Sequence, residues 1–284
     1  MRVITTIEEM QNAILHAKKE GLSIGYVPTM GFLHEGHLTL MEKAREENDL
    51  VVISIFVNPL QFGPTEDLSS YPRDFDRDKE LAQKQKVDYI FFPSVEEMYP
   101  RPSSVTVTVK ERTNVLCGKS RPGHFDGVAT VLTKLFHVVQ PEKAYFGMKD
   151  AQQVAVVEGL VTDFHFPIEI IPVETVREKD GLAKSSRNVK LLTKEREQAP
   201  ILYQSLLRAK EIIIEGERSP QKVISFITEM ITEKTNAQID YIEIYSYPML
   251  KEVTELKGKF IIAMAVKFSK ARLIDNIILE INEK

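Results

Sequence analysis

Residues 50–57 read LVVISIFV, a nearly unbroken apolar run. A strand solvated on one face alternates apolar with polar residues. A run without alternation fits a strand covered on both faces, as strands of parallel sheets are. The same pattern recurs outward from it. Residues 22–27 (LSIGYV) read as a strand before it, and 87–92 (VDYIFF), 143–147 (KAYFG) and 168–173 (IEIIPV) as strands after it. Helical spacing of apolar residues falls between them, at 37–48 (HLTLMEKAREEN), about 74–86, 126–139 (DGVATVLTKLFHVV) and Ala151 to about Thr162. Strands alternating with helices predict an α/β fold built on a parallel, doubly wound sheet.

The character changes near Arg177. Residues 194–216 and 219–234 predict two helices, the second opened by Ser219 as N-cap and Pro220 at its first position. Strand-like runs follow at 239–246, 260–267 and 272–281. Helices followed by an antiparallel sheet make a smaller α+β C-terminal domain. The boundary falls in the polar, flexible-looking stretch 176–192, giving domains 1–176 and 177–284.

With 284 residues, 43% apolar and 27% charged, the composition is that of a soluble globular protein with a real core. Lys and Arg number 37 against 41 Asp and Glu, a net charge of −4. That balance speaks against general polyanion binding, so no nucleic-acid partner is expected. A phosphate-bearing ligand must then be met by a local cluster of positive groups. The single cysteine, Cys117, can form neither an internal disulfide nor a cysteine-based zinc cage, which fits a reducing cytoplasm. No apolar stretch reaches the roughly 18 residues of a membrane span, and the N-terminus lacks a signal core, so neither membrane nor export is expected.

Four segments carry the polar chemistry. The first, PTMGFLHEGH at 28–37, follows a strand and opens a helix, so it crosses the carboxyl end of the sheet, where open α/β folds bind ligands. Gly31 and Gly36 permit tight turning. His34 and His37, three apart at a helix start, can aim at one anion. A surface loop with two incidental histidines, or a partial zinc site, also fits this segment alone. The second, residues 57–78, puts Asn58 and Gln61 at the edge of the next strand, where amides can fix a hydroxyl or carboxylate. Its acidic residues Asp74, Asp76 and Asp78 read as a helix start or as oxygen ligands for Mg²⁺.

The third segment pairs RPGHFDGV at 121–128 with YFGMKDAQQ at 145–153. Arg121 and His124 precede one helix, and Lys149, Asp150 and Gln153 surround the start of another. The fourth, REKDGLAKSSRN at 177–188, gathers Lys184, Ser185, Ser186 and Arg187 beside Gly181. Such a polar segment suits a clamp on a polyphosphate leaving group, or an ordinary basic linker. An acidic chain that concentrates cations and histidines at such turns points to a nucleoside triphosphate.

In combination, PTMGFLHEGH, FVNPLQFGPTEDLSSYPRD, RPGHFDGV, YFGMKDAQQ and DGLAKSSRN resemble the pantoate–β-alanine ligase (pantothenate synthetase) family of the nucleotidylyltransferase superfamily. The resemblance implies a Rossmann-like first domain, a small second domain acting as a lid, and a homodimer. It implies formation of pantothenate from pantoate, β-alanine and ATP through a pantoyl adenylate, with Mg²⁺ assisting and AMP and pyrophosphate released. By the same resemblance Met30, Gly31, Phe32, Leu33, His34, Glu35, Gly36 and His37 line the ATP site, with His37 the residue usually called the proton donor. Gly147, Met148, Lys149 and Asp150 hold ribose and phosphates, and Val176 touches adenine through its backbone. Lys184, Ser185, Ser186 and Arg187 form the late phosphate loop. The catalytic set is His34, His37, Lys149, Ser185, Ser186 and Arg187. Gln61, Asn58 and Gln153 stand at the pantoate positions. Arg77 interrupts the acids after the YPR motif, which leaves Asp78 only a weak ligand candidate, with the metal expected to be held chiefly by ATP phosphates and water. Three rivals remain at this level: another small-molecule nucleotidylyltransferase, a tRNA-charging module, and a silent nucleotide sensor.

Overall fold

The computed structural model describes residues 1–64, 66 and 68–282. The chain divides into two compact units, the first made of Met1–Glu111, Arg121–Met148 and Val156–Glu174. Its centre is a six-stranded sheet of β1 (Arg2–Ile4), β2 (Ile24–Thr29), β3 (Leu50–Ile55), β4 (Tyr89–Phe91), β5 (Lys143–Gly147) and β6 (Glu169–Val173). The spatial order is β1-β4-β3-β2-β5-β6, and every pairing is parallel. The run at 50–55 is buried at every residue, because helices cover both faces. β2 and β3 pair from Ile24↔Leu50 to Thr29↔Ile55, so they end level and deliver the loops that follow to the same edge.

The helices around it are α1 (Ile7–Lys19), α2 (Glu35–Glu47), α3 (Phe75–Lys84), α4 (Val95–Met98), α6 (His124–Val139) and α7 (Ala151–Asp163). Between α4 and α6 lies α5 (Leu116–Ser120), which belongs to the second unit, as do the first residues of α7. Val27, Leu33, Met41, Val51, Ile53 and Tyr145 are closed to solvent in one apolar cluster. Each large aliphatic side chain so buried contributes about 1.5–3 kcal/mol. From β2 the chain winds outward through β3 to β4, then returns to β5 and β6 on the other side. The winding direction therefore switches between β2 and β5, the crevice where such sheets take ligands.

The second unit consists of Arg112–Ser120, Lys149–Ala155 and Thr175–Lys284. An antiparallel sheet of β7 (Gln238–Ser246), β8 (Gly258–Lys267) and β9 (Arg272–Ile281) runs in that order. The unit also contains α8 (Thr193–Gln198), α9 (Ile201–Ile214) and α10 (Pro220–Lys234). The single helix expected over 194–216 is broken: Pro200 lacks an N–H and its ring crowds the preceding turn, so α8 stops and α9 begins. Ser219 caps α10 as its residue type dictates, accepting from the Lys222 N–H at 3.4 Å. Leu206, Ile213, Ile227, Ile231, Phe260 and Met264 fill the core.

The stretch expected to be a flexible linker is a hairpin. Arg177 bridges Ala183, Glu178 N–H donates to Leu182 O at 2.8 Å, and Lys184 N–H donates to Val176 O at 2.9 Å. Gly181 takes the left-handed turn position, at φ 94°. The Arg177 guanidinium makes a bidentate pair with buried Asp275, at 2.7 and 2.9 Å, and lies 3.4 Å from the Tyr203 ring centroid.

Candidate functional site

Within the first unit, the expected residues gather at the carboxyl edge of three adjacent strands. Met30–His37 follow β2, Asn58 and Gln61 follow β3, and Gly147 ends β5. The β2 loop turns sharply: Gly31 and Phe32 both have positive φ, 81° and 51°. A Cβ on Gly31 would meet Asp78 Oδ2 and Ile55 Cγ2, each at 3.0 Å, so only glycine fits without displacement.

Asp78 holds that turn. It is 1% exposed, and its two carboxylate oxygens accept the N–H groups of Phe32 and Leu33, each at 2.7 Å. Burial pushes the carboxyl above its ordinary range, opposed by these two amide bonds. Asp74 instead caps α3, accepting from Arg77 N–H at 3.2 Å. A magnesium ion needs several oxygens facing one point. Asp78, with both oxygens turned to backbone, does not offer that, and no group of metal-ligating side chains occurs among the described residues.

The loop leads into a cap made of histidines. His34 Nδ1 accepts from Gly36 N–H at 3.2 Å, and His37 Nδ1 accepts from His34 N–H at 3.3 Å. An acceptor nitrogen carries no hydrogen, so each neutral ring bears its proton on Nε2. The rings lie 4.1 Å apart, centroid to centroid, at the N-terminus of α2. Two N–H donors at the positive end of a helix dipole are suited to an anion.

Beside them, Asn58 and Gln61 form a buried amide pair, 1% and 9% exposed. Asn58 Oδ1 accepts from the Tyr99 hydroxyl at 2.8 Å and from Leu60 N–H at 3.3 Å. Its Nδ2 donates to Gly127 O at 3.0 Å and to Gln61 Oε1 at 3.2 Å. Gln61 Nε2 reaches Met30 Sδ at 3.1 Å. Close approach of α6 makes this possible: a Cβ at Gly127 would sit 2.3 Å from Leu60 O. Arg121 pairs with Glu66 at 2.7 Å and donates to His124 Nε2 at 2.9 Å. His124 must therefore carry its hydrogen on Nδ1, which donates to Gln61 O at 2.8 Å. Burial raises the Glu66 carboxyl, but the Arg121 pair outweighs it and holds the group below its ordinary range. Arg121 and His124 thus brace the Gln61 backbone.

Within the second unit, Lys149 and Asp150 lie in a short 3₁₀ turn, and Asn276 Nδ2 donates to Lys149 O at 3.0 Å. Gln153 lies half-buried in the first turn of α7. Val176 and Lys184 are hydrogen-bonded neighbours at the mouth of the hairpin. Lys184 Nζ lies 3.6 Å from Glu178 Oε2, so a local carboxylate offsets its charge. Ser185 Oγ accepts from Arg187 N–H at 3.2 Å, which holds residues 185–187 as a turn ahead of the next 3₁₀ helix. Ser186 is the middle residue of that turn.

Two members of these arrangements escaped the sequence. Tyr99 stands 41 positions from Asn58 with no local pattern to mark it. Gly127, inside a helical run, carries a usable signal, because a glycine there costs stability unless another backbone comes close.

Residues 2–278 match the family model for pantoate-beta-alanine ligase. The chain is 63% identical to a pantothenate synthetase of Geobacillus sp. (strain WCH70), over 99% of this chain and 100% of that one. It is 60% identical to the pantothenate synthetase of Bacillus subtilis (strain 168), over 100% and 99% of the two chains. Among solved structures, pantothenate synthetase from Thermus thermophilus superposes with a TM-score of 0.92 at 45% identity, covering 98% of this chain and 99% of that one. The ligase from Francisella tularensis, described as complexed with Beta-gamma ATP and Beta-alanine, gives 0.81 at 34% identity over 98% and 97%.

Proposed function

The chain belongs to the pantoate–β-alanine ligase family, and on that premise we propose that it joins pantoate to β-alanine through a pantoyl adenylate, with ATP as the activating substrate. The observation that carries this reading is that the histidine cap and the amide pair follow the adjacent strands β2 and β3 at the carboxyl edge of the parallel sheet. The ATP complex of the Francisella relative supports the nucleotide.

The chemistry follows from the substrate. A carboxylate resists amine attack because oxide would have to leave. In the first step a pantoate carboxylate oxygen attacks the α-phosphorus, the bond to the bridging oxygen breaks, and pyrophosphate departs with its electron pair. In the second, the β-alanine nitrogen attacks the acyl carbon, AMP leaves with the carbon–oxygen pair, and the proton shed by nitrogen passes to water.

His34 and His37 are assigned to the phosphates through their Nε2 hydrogens. Lys149, Ser185, Ser186 and Arg187 are assigned to the charge that grows on the leaving group, where a well-placed donor is worth about 10²–10³ in rate. Neither a carboxylate nucleophile nor a pyrophosphate leaving group requires a proton, so His37 serves as a hydrogen-bond donor. Met30–Gly36, Gly147, Met148, Asp150 and Val176 are assigned to the nucleotide, and Gln61 and Gln153 to pantoate. Lys184, balanced by Glu178, is given the smaller part. Asp78 faces the backbone, so magnesium would come with the nucleotide's phosphates and no step is routed through it. A homodimer and a cytoplasmic setting belong to the same reading.

Mass spectrometry of the products tests the proposal. Without β-alanine, ATP and pantoate should give pantoyl adenylate and pyrophosphate in about one equivalent. Adding the amine should release AMP and pantothenate. Release of ADP and phosphate instead would mean an acyl phosphate and overturn the adenylate route.

A further inference from the structure

An amide side chain can point its oxygen or its nitrogen toward a ligand, and here the backbone decides which. Leu60 N–H can only donate and Gly127 O can only accept, which fixes Asn58 with Oδ1 toward the first and Nδ2 toward the second. The opposite orientation would set hydrogen against hydrogen and oxygen against oxygen. Given that polarity, the Tyr99 hydroxyl must be the donor in its 2.8 Å bond to Oδ1. The second hydrogen of Nδ2 meets Gln61 Oε1, so Gln61 turns its own NH₂ group away from Asn58. Both lone pairs and both hydrogens of Asn58 are then spent inside the protein.

We propose that Tyr99 is a positioning residue for pantoate: acting through Asn58, it holds the Gln61 amide with its NH₂ group presented as a donor to a pantoate oxygen. The proposal rests on the assignment of Gln61 to pantoate. Gln61 Nε2 lies on Met30 Sδ, and a thioether is a weak acceptor. Exchanging sulfur for a hydroxyl or carboxylate oxygen gives Nε2 a stronger partner at little cost. Without the Tyr99 hydroxyl, Oδ1 keeps only the 3.3 Å contact with Leu60. Leu60 and Gly127 still set the polarity of Asn58, but its amide is held less firmly, and the NH₂ group of Gln61 is presented to pantoate from a looser support. Burial raises the phenol to about 12, so it remains a donor throughout the working range of pH. Its ring is held separately, 6.2 Å from Phe56 and 4.8 Å below the Lys134 ammonium. Tyr99→Phe therefore removes the hydroxyl and little else.

Steady-state kinetics of Tyr99→Phe, Gln61→Ala and the double variant provide the test. Tyr99→Phe should raise the pantoate KM about 5- to 10-fold, the scale of one lost buried hydrogen bond, with the ATP KM unchanged. The double variant should be no worse for pantoate than Gln61→Ala alone. An unchanged pantoate KM in Tyr99→Phe, with a raised one in Gln61→Ala, would overturn the relay and leave the Gln61 assignment standing. Unchanged pantoate kinetics in Gln61→Ala would remove both. Equal losses for ATP and pantoate in Tyr99→Phe would mark a general structural role and also overturn it. The unmutated protein gives an independent reading, by NMR of enzyme labelled with ¹⁵N-glutamine. Saturating pantoate should shift the Gln61 side-chain NH₂ signals, and signals that stay put would count against the outward amide.

Discussion

Asp78 shows how much one carboxylate can fix. A loop with two successive positive-φ residues has no regular hydrogen-bond ladder, so its amides need partners from elsewhere. Asp78 takes two of them at once, and in doing so sets the point from which the histidine cap starts. In Asp78→Asn one acceptor becomes a donor that faces a backbone N–H. The expected result is a loss of about 1–3 kcal/mol in stability together with weaker ATP binding. Thermal melts and nucleotide titration measure both, and an unaltered ATP affinity would mean that the cap holds the loop without its anchor. Little of this was legible in advance. HxGH-type spacing marks the histidines, but the partner of Phe32 and Leu33 lies about 45 positions away in a stretch that reads as an ordinary acidic helix start.

At the scale of elements, the strands were the legible part. The apolar runs at 22–27, 50–57, 87–92 and 143–147 each became a strand of the sheet, because burial leaves a compositional trace that needs no partner to be seen, and 168–173 became the edge strand β6, although none of Glu169–Val173 is fully buried. β1 left no such trace, being three residues long with an arginine at its start. The hairpin at 177–184 is the instructive failure. Its polar sequence reads as a linker, yet Arg177 finds Asp275 98 positions later, and a local pattern cannot display such a pairing. Removing one member of a buried ion pair leaves an uncompensated charge, at a cost of about 3–5 kcal/mol. Arg177→Ala is therefore expected to speed amide hydrogen exchange across 177–184 and to lower adenylate formation. Exchange equal to that of the native protein would show the hairpin standing without its pair.

At the scale of the molecule, the proposed reaction assigns phosphate contacts to residues far apart in the sequence, His37 and Arg187 among them. A double-mutant cycle addresses this without reference to shape. If His37 and Arg187 act on the same transferring group, His37→Ala and Arg187→Ala should each cut adenylate formation by at least about 100-fold. Their combination should lose much less than the product of the two. Strict additivity would assign them to independent tasks.

The two units are also interleaved along the chain. Residues 112–120 and 149–155 belong with the part that begins at Thr175. Leu116 N–H binds Glu243, the Tyr247 hydroxyl reaches Ala151 O, and Asn276 holds Lys149 O. During synthesis on the ribosome these two early segments emerge well before any of those partners exist. The nascent chain must carry them without these partners, Lys149 until the last strand is released, and cutting the gene at a single point would yield two halves that are each incomplete.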